Sequence, residues 1–250
     1  MKILFSDLDQ TVIYSHRHPL PGETLVMEYL NGREQSFILK ENLAALQSFC
    51  AGADRFFVPL TTRTEQQYAR LTPLQEALGY RYALLCNGAF LYADGKPDAA
   101  WTADSLDLAE PFQPVLEQVR DFLLQTEEHA HVHDVLPFLI YVSTENETCR
   151  PALERICEGT GVDVLQSGKK IYCIPQPLSK GEAVRRFTRC FCPNALTFGI
   201  GDSAFDLPML RACDHAFAPP EIAVPPQIQP LPQPFSMPEV VAAVEKENAR

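Results

Sequence analysis

The chain alternates short apolar runs with amphipathic segments, and this alternation predicts an α/β protein. The apolar runs are continuous and mostly end at a polar residue or a glycine, which is typical of strands buried on both faces of a parallel sheet. The predicted core strands are Lys2–Ser6, Arg55–Leu60, Tyr82–Cys86, Leu196–Ile200 and His215–Ala218. The predicted helices are Lys40–Cys50, Glu65–Leu78, Lys180–Thr188, Pro238–Asn248 and a shorter one between Ser203 and Ala212. We therefore predict a Rossmann-like, doubly wound parallel sheet as the core.

Two segments depart from this pattern. Residues 25–39 place two strand-like runs on either side of Asn31-Gly32, a pair that favours a tight hairpin turn. They predict a β-hairpin flap directly after the first strand, in a position to overhang the end of that strand.

The second departure runs from Tyr92 to Cys173, where a helix followed by two strands occurs twice. The predicted elements are a helix over Ala109–Glu128, strands at His131–Val135 and Phe138–Ser143, a helix near Glu145–Gly159, and strands near Val162–Gln166 and Lys170–Ile174. This is the pattern of a compact α+β unit. We predict an inserted domain over 92–173, with the core discontinuous over 1–91 and 174–250.

The net charge of the chain disfavours some classes of binding partner. The 250-residue chain has a formal net charge of −11 and no block of Lys or Arg, so it lacks the electrostatic footprint of a nucleic-acid binder. The same charge disfavours an anionic membrane surface. A small anionic substrate stays compatible, since one local cluster of cations can hold it.

Two further features predict a cytoplasmic protein. The apolar start of the chain meets Asp7 and Asp9 before it could form a signal sequence, and no stretch approaches the roughly 18 apolar residues of a membrane span. The eight cysteines include no pair at two-residue spacing, so we predict free and mostly buried thiols.

Candidate chemistry begins with Asp7 and Asp9 at the end of the first predicted strand, the edge where open α/β sheets bind ligands. Two carboxylates this close suit a nucleophile and a proton-transferring partner. A polar turn after a strand explains the same pair, since Asp is common in turns.

Three other segments occupy corresponding places after later strands. Thr61-Thr62-Arg63 offers hydroxyl and backbone N–H groups to phosphoryl oxygens at a helix start, although a helix cap explains an isolated Thr. Lys180 opens a helix, where it could equally be a solvated surface residue. Asp202 and Asp206 are four residues apart, close enough to face one pocket.

In this order and at these strand ends, the four segments resemble the four motifs of the haloacid dehalogenase superfamily. The position of the insert resembles the Cof-like branch, which includes sugar phosphatases and sucrose-phosphatase-like enzymes, and in which the insert is a cap domain. The resemblance covers the core, roughly two thirds of the chain. It implies a magnesium-dependent phosphatase that acts on a small phosphorylated metabolite through an aspartyl-phosphate.

The resemblance also implies a role for each segment. Asp7 would be the nucleophile and a magnesium ligand, and Asp9 would be the general acid/base whose main-chain carbonyl also binds the metal. Thr61 would hold the phosphoryl group, and Lys180 would neutralise charge around it. Asp202 would complete the magnesium site.

Asp206 would support the metal directly or through water, and magnesium needs few protein ligands because it prefers oxygen and keeps waters. Thr62, Arg63, Asn87 and Ser203 are predicted to contact the substrate. Asn87-Gly88 resembles a segment of the same branch at the junction to the cap, although a tight turn explains it equally well.

Two residues depart from the family pattern. Gln10 stands where glycine commonly follows the second aspartate, and is expected to be tolerated provided that the backbone there is not left-handed. Phe205 stands where asparagine is common, which removes a polar group near the phosphate.

His129, His131 and His133 alternate along one predicted strand and so share a face. Three histidines that alternate along one strand do not surround a metal ion tetrahedrally, as zinc ligands do. We therefore interpret them as part of a cap surface, which could face the substrate, rather than as a zinc site. Lys169, Lys170 and Arg63 are candidate contacts to an anionic substrate.

Other functions are compatible with these residues. Phosphoryl transfer to a second substrate, as in phosphomannomutase-like relatives, would use the same site. A non-catalytic binding protein on the same fold is suggested only by Phe205 and the proline-rich stretch 219–238, which we interpret as an extended segment wrapping the core. The intact set of acids and lysine favours the phosphatase.

Overall fold

The computed structural model describes residues 1–126, 131–144, 147–222 and 228–247. The strands in these ranges are β1 (Lys2–Ser6), β2 (Tyr14–Ser15), β3 (Thr24–Leu30), β4 (Arg33–Leu39), β5 (Arg55–Pro59), β6 (Tyr82–Leu85), β7 (Phe90–Ala93), β8 (Lys96–Pro97), β9 (His131–Val135), β10 (Leu139–Ser143), β11 (Val162–Ser167), β12 (Lys170–Pro175), β13 (Leu196–Ile200), β14 (His215–Ala218) and β15 (Ile228–Pro230). The α-helices are α1 (Lys40–Cys50), α2 (Glu65–Tyr68), α3 (Thr72–Leu78), α4 (Ala99–Ala109), α5 (Gln113–Thr126), α6 (Arg150–Cys157), α7 (Lys180–Phe191), α8 (Leu207–Ala212) and α9 (Met237–Lys246).

The main sheet is parallel throughout, with strand order β15-β14-β13-β1-β5. Strand β1, which lies between β13 and β5, is buried on both faces, as its continuous apolar run predicts. Ser6 at its end lies opposite Ile200 on one side and Pro59 on the other, so the loops that follow β1, β5 and β13 start at one level of one edge. The predicted α/β class and the core strands that became β1, β5, β13 and β14 are confirmed.

The predicted core strand Tyr82–Cys86 lies in a different sheet. Strand β6 pairs antiparallel with β7, which pairs with β8, and a single parallel bridge between Leu60 and Leu84 joins this small sheet to the main one. The strand stops at Leu85 because Cys86 and Asn87 both have positive φ, 48° and 62°, which turns the chain back into β7.

Two predicted helices are divided. The segment 65–78 forms α2 and α3 with a 3-10 turn between them, and the segment starting at residue 109 becomes a 3-10 turn containing Pro111 followed by α5. Helix α4 was not predicted, although Asp98 caps its start by accepting the Trp101 N–H. The ends of the predicted helices at 127–128 and 248, and the start of the one predicted near 145, lie outside the described residues.

The segment predicted as a flap forms a β-hairpin, the antiparallel pair β3–β4, with positive φ at Asn31 and Gly32 in the turn. Strand β2 adds a short third strand to it. Glu28 and Ser36 are buried where the flap meets the core.

A four-stranded antiparallel sheet of order β11-β12-β10-β9 forms the insert sheet. One face packs on α5 and α6 through an apolar cluster that includes Leu116, Ile140 and Leu153. The other face carries aromatic residues toward the core. Helix α4 lies inside the predicted cap range, yet its Trp101 packs in the same cluster as Phe187 of α7. The boundaries at 92 and 173 stay predictions.

No disulfide joins any two of the eight cysteines, all of which lie in the described ranges, and six of them are buried. Within the described ranges, no helix combines the length and the apolar character that a membrane span requires.

Candidate active site

Three loops converge at the carboxyl edge of the main sheet. The main-chain N–H of Asp7 donates to the carbonyl oxygen of Ile200 (3.0 Å), and that of Leu60 donates to Ser6 (2.7 Å), which brings the residues after β1, β5 and β13 together. They border a cavity of about 80 Å³. We call it the acid pocket, and its lining residues are Asp7, Asp9, Gln10, Thr62, Ser167, Lys180, Asp202, Ser203, Phe205 and Asp206.

Lys180 is fully inside the acid pocket. It occupies the first turn of α7, which begins at the Ser179 cap, and its side chain is 2% exposed. Its Nζ lies 2.6 Å from Asp7 Oδ1 and 2.6 Å from Asp206 Oδ1. Burial disfavours the ammonium, but the two carboxylates outweigh that cost and raise the pKa of Lys180 above its ordinary value. The lysine is therefore a charged bridge rather than a surface residue.

The glycine after Lys180 explains how the helix comes so close. A Cβ at Gly181 would lie 2.5 Å from the carbonyl oxygen of Pro208, so only glycine lets α7 lie against α8 at this point. Gly201 plays the same part for the third loop, because a Cβ there would lie 2.4 Å from Cβ of Asp206.

The Asp202–Asp206 loop is held by its own side chains. Asp206 Oδ2 accepts from the N–H and hydroxyl of Ser203 (3.1 and 3.0 Å), while its Oδ1 faces Lys180. The Thr11 hydroxyl donates to Asp202 Oδ1 at 3.4 Å. Ser203, predicted to contact substrate, lines the acid pocket and also orients Asp206.

Asp7, Asp202 and Asp206 could hold a metal ion, because one carboxylate oxygen from each lies within 4.8 Å of the other two. Burial and the neighbouring Asp206 raise the pKa of Asp202 to about 7. Burial also raises the pKa of Asp7, against the opposing charge of Lys180. Two buried carboxylates, Asp7 and Asp206, share the Lys180 ammonium with the half-buried Asp202 beside them, so negative charge is left uncompensated. An all-oxygen donor set with this excess charge fits a divalent cation such as magnesium.

Asp9 belongs to a second ionic network beside the first. Arg63 holds it with two hydrogen bonds, from Nε to Oδ2 (2.8 Å) and from Nη2 to Oδ1 (2.7 Å). Arg63 Nη2 also donates to Glu28 Oε2 (2.9 Å), and Arg70 pairs with Glu28 Oε1 (3.0 Å). Burial opposes ionisation of Asp9, but Arg63 outweighs it and holds the pKa of Asp9 below its ordinary value.

This network changes the interpretation of Arg63. Its Nε and Nη2 bond carboxylates, and Nη1 donates to the carbonyl oxygen of Gln67 (3.3 Å). The prediction that it contacts an anionic substrate does not match these contacts, because an arginine has five donors in a fixed fork and most of them are already engaged. Glu28 was not identified from sequence. Its only signal was an acid in the apolar run of the flap.

Thr61 and Thr62, which are predicted to contact the phosphoryl group and the substrate, occupy different positions. Thr61 is fully buried, and its Oγ1 accepts the N–H of Arg63 (3.2 Å). Thr62 lines the acid pocket and its side chain interacts with Tyr172.

Asn87 lies elsewhere. Its Nδ2 donates to the carbonyl oxygen of Leu178 (2.8 Å), and it lines a separate cavity of about 410 Å³ that borders none of the acid-pocket aspartates. Asn87 does not line the acid pocket, although its main-chain N–H donates to the carbonyl oxygen of Thr61 (2.8 Å), and its contact with the substrate stays a prediction.

The two departures from the family pattern have structural outcomes. Gln10 has φ of 62°, so the condition for its easy tolerance is not met and the residue carries left-handed strain. Phe205 is buried, with its ring 5.1 Å from the ring of Tyr172 and 5.8 Å from Nζ of Lys180. An apolar contact between the acid pocket and the insert sheet thus stands in place of a polar group.

The insert sheet presents an aromatic face, consisting of His133, Tyr141 and Tyr172, to this contact. His133 stacks on Tyr141 with ring centroids 4.3 Å apart, and Tyr141 stacks on Tyr172 at 5.0 Å. They are cross-strand neighbours on β9, β10 and β12. His133 was predicted as part of a cap surface, while the tyrosines were not singled out. His129 lies outside the described residues.

Together, the parallel main sheet with acids at its carboxyl edge and the antiparallel insert sheet make up one fold. Solved structures with this fold cover nearly the whole chain. A sucrose-phosphatase from Synechocystis sp., solved with sucrose and phosphate, superposes with a TM-score of 0.65 at 18% identity, over 98% of this chain and 96% of that one. A trehalose-6-phosphate phosphatase related protein gives a TM-score of 0.58 at 16% identity, over 98% and 97%. At these identities the likeness establishes the fold.

A sequence relative is also found. A glucosyl-3-phosphoglycerate/mannosyl-3-phosphoglycerate phosphatase from Persephonella marina is 36% identical over 90 residues. The alignment covers 34% of this chain and 32% of that protein, so the chain matches about a third of the length of this curated relative. No protein-family model matches the chain.

Proposed function

We propose that this protein is a magnesium-dependent phosphatase that hydrolyses a phosphate monoester of a small sugar or similar metabolite. One observation carries the proposal: Lys180 Nζ bridges Asp7 and Asp206 at 2.6 Å each, and a carboxylate oxygen of Asp202 lies within 4.8 Å of both acids. A buried lysine between two buried acids, with a third acid half-buried beside them, suits charge control around a phosphoryl group. The names of the relatives, which are phosphatases of sugar phosphates or of a sugar phosphoglycerate, support the substrate class.

In the first step, a carboxylate oxygen of Asp7 attacks phosphorus. An acyl-phosphate bond forms on Asp7 while the ester P–O bond breaks, and the leaving alkoxide takes a proton from Asp9. Lys180 compensates the charge that would otherwise oppose attack by one anion on another. Arg63 favours the ionised form of Asp9. Asp9 must therefore take up its proton when the substrate binds and displaces the hydrogen bonds between Arg63 and Asp9.

In the second step, Asp9 takes a proton from water, which attacks the phosphorus and breaks the acyl-phosphate bond. Inorganic phosphate leaves and Asp7 returns to its carboxylate. Here the ionised form that Arg63 favours is the one required.

Asp7, Asp202 and Asp206, with the main-chain carbonyl of Asp9, would hold magnesium. When bound, the ion supplies positive charge that neutralises the phosphoryl oxygens. Thr61 and Thr62 would bind those oxygens from the second loop.

The acid pocket accommodates the phosphoryl group rather than a whole substrate, because its 80 Å³ falls well below the roughly 300–1,000 Å³ of pockets that enclose small molecules. The rest of the substrate must therefore lie between the core and the insert. We propose that residues 92–173 form a cap domain, with the aromatic face and the flap over 25–39 surrounding the leaving group.

The test is hydrolysis of an aryl phosphate and of a panel of phosphorylated metabolites, with magnesium and with a chelator. We expect magnesium-dependent release of inorganic phosphate, and loss of at least about 10³-fold in kcat for Asp7→Asn, which cannot form the acyl phosphate. Asp107→Asn, at an exposed position of α4, is the matched control.

Folded protein that releases no phosphate from any compound, or that retains activity as Asp7→Asn, contradicts the proposal. Conversion to an isomeric sugar phosphate without phosphate release identifies a phosphomutase instead. Tight binding of a phosphorylated compound without turnover identifies a binding protein.

A further inference from the structure

The ammonium of Lys170 borders the aromatic face of the insert sheet. Lys170 begins β12, two residues before Tyr172, so both side chains lie on the same face. Its Nζ lies 5.3 Å from the centroid of the Tyr141 ring. Its cross-strand partner is Ser167, which lines the acid pocket. Lys170 is thus placed at the rim of the pocket, on the side where a leaving group must extend.

The charges around Lys170 do not compensate it. Burial and the nearby cations Arg63 and Arg70 lower the pKa of Lys170, while Asp9 raises it. Both acids of this neighbourhood already have partners, since Asp9 takes two bonds from Arg63 and Glu28 pairs with both arginines.

Lys170, Arg63 and Arg70 carry three positive charges, and Asp9 and Glu28 carry two negative ones. Among the residues that the structure describes, no carboxylate oxygen lies within 4.0 Å of Lys170 Nζ. One positive charge therefore remains at this rim, in a chain whose formal net charge is −11.

We propose that Lys170 binds a second anionic group, carried by the leaving group, so that the preferred substrate is a phosphate monoester with a carboxylate or a further phosphate near the ester. This inference rests on the proposed function and specifies its substrate class. The phosphoryl group occupies the acid pocket around Lys180, while the second anion meets Lys170 across the rim. Lys170 is half-buried, so its attraction to an anion is screened less than that of an exposed lysine.

Two matched pairs of compounds test the proposal. The first pair, 3-phosphoglycerate and glycerol 3-phosphate, differs by a carboxylate. The second pair, glucose 1,6-bisphosphate and glucose 1-phosphate, differs by a phosphate. Each compound is measured as a competitive inhibitor of aryl phosphate hydrolysis at constant ionic strength, because Ki reports binding whether or not the compound is itself hydrolysed.

In the unmodified protein, we expect the compound with the additional anionic group to bind at least about 10-fold more tightly than the other member of its pair, in at least one of the two pairs. In Lys170→Met this ratio should fall to near 1, and in Lys170→Arg a part of it should return. Lys96→Met, which removes an exposed lysine on β8, should leave the ratio unchanged. If the first pair shows this difference in Ki, the second anionic group is a carboxylate. If the second pair shows it, the group is a phosphate.

The proposal is overturned if both ratios are near 1 in the unmodified protein, or if Lys170→Met weakens both members of a pair equally, which would indicate a structural role. Failure of the proposed function is a separate result, namely absence of aryl phosphate hydrolysis. In that case calorimetric titration with the same two pairs still measures the ratio.

Discussion

The acid pocket and the aromatic face meet at the contact between Phe205 and Tyr172, but they are built in different ways. In the acid pocket, Lys180 bonds two carboxylates that come from chain-distant segments. On the aromatic face, rings stack on one another and His133 stays exposed. The first arrangement is a cluster of buried ion pairs, whereas the second is a stack of rings that runs from the buried Tyr172 to the exposed His133, with the Lys170 ammonium at its rim.

This difference separates reaction from selectivity. A buried ion pair loses a large free energy when one partner is removed, because the other charge is left uncompensated. An exposed ring loses only contact area. Changes in the acid pocket should therefore lower kcat for every substrate, and changes on the aromatic face should alter KM for particular substrates.

The largest effect is expected from Lys180→Met. Activity should fall by at least about 10³-fold, since Asp7 and the substrate phosphate are both anionic. In metal-free protein the free energy of unfolding should fall by about 3–5 kcal/mol, because Asp7 and Asp206 lose their common partner. Steady-state kinetics and chemical denaturation measure both, with Lys96→Met as the control. A loss below 10-fold would show that the bridge is not needed for catalysis.

Glu28→Gln should show whether the flap influences catalysis through Arg63 and Asp9 or only covers the acid pocket. Without the charge of Glu28, Arg63 pairs with Asp9 alone and favours its ionised form more strongly. We expect kcat for alkyl phosphates, which need a proton on the leaving group, to fall by about 10–30-fold, and kcat for an aryl phosphate to fall much less. Equal losses on both substrate types would instead indicate a general loss of structure, for which circular dichroism is the control.

Magnesium should stabilise the protein more at pH 8 than at pH 6. The pKa of Asp202 is raised to about 7, so in metal-free protein its ionisation costs stability as the pH rises from about 4 through 7. Magnesium binds the ionised form and removes that cost, by about 1–2 kcal/mol for this part-exposed group. Melting temperatures with magnesium and with chelator at the two pH values measure the difference, which Asp202→Asn should abolish. Equal magnesium effects at both pH values would count against this assignment.

On the aromatic face, His133→Ala should raise KM for the preferred metabolite by about 5-fold and leave kcat within about 2-fold, since one stacked ring contributes about 1 kcal/mol. The KM for an aryl phosphate provides the comparison within the same protein. A change confined to kcat would break the proposed division between the two regions.

The smallest expected effect concerns the loop between them. Gln10→Gly should increase the free energy of unfolding by about 0.5 kcal/mol, because relief of left-handed strain at φ of 62° exceeds the entropy that glycine adds to the unfolded chain. Denaturant titration measures this, and a decrease would show that the Gln10 side chain contributes contacts that outweigh the strain.

Local patterns were sufficient for much of the fold. Continuous apolar runs identified β1 and β13, and Asn31-Gly32 identified the flap, because burial on both faces and turn geometry depend on residues close in sequence. The acids and the lysine were found because each follows a recognisable strand or opens a helix. Helix α4 and the antiparallel pairing of β6 escaped prediction, since both depend on packing against distant segments.

By itself, the sequence determined the α/β class, the flap and the set of chemical groups, among them Asp7, Lys180 and Asp202. Only the tertiary structure decided their partners: Arg63 pairs with Asp9 and Glu28, Asn87 bonds the carbonyl oxygen of Leu178, and Lys170 lies opposite Ser167 at the rim of the acid pocket. The physical reason is that residue type and local spacing fix what a side chain can do. Which charge compensates which depends on distances between segments that are far apart in the chain.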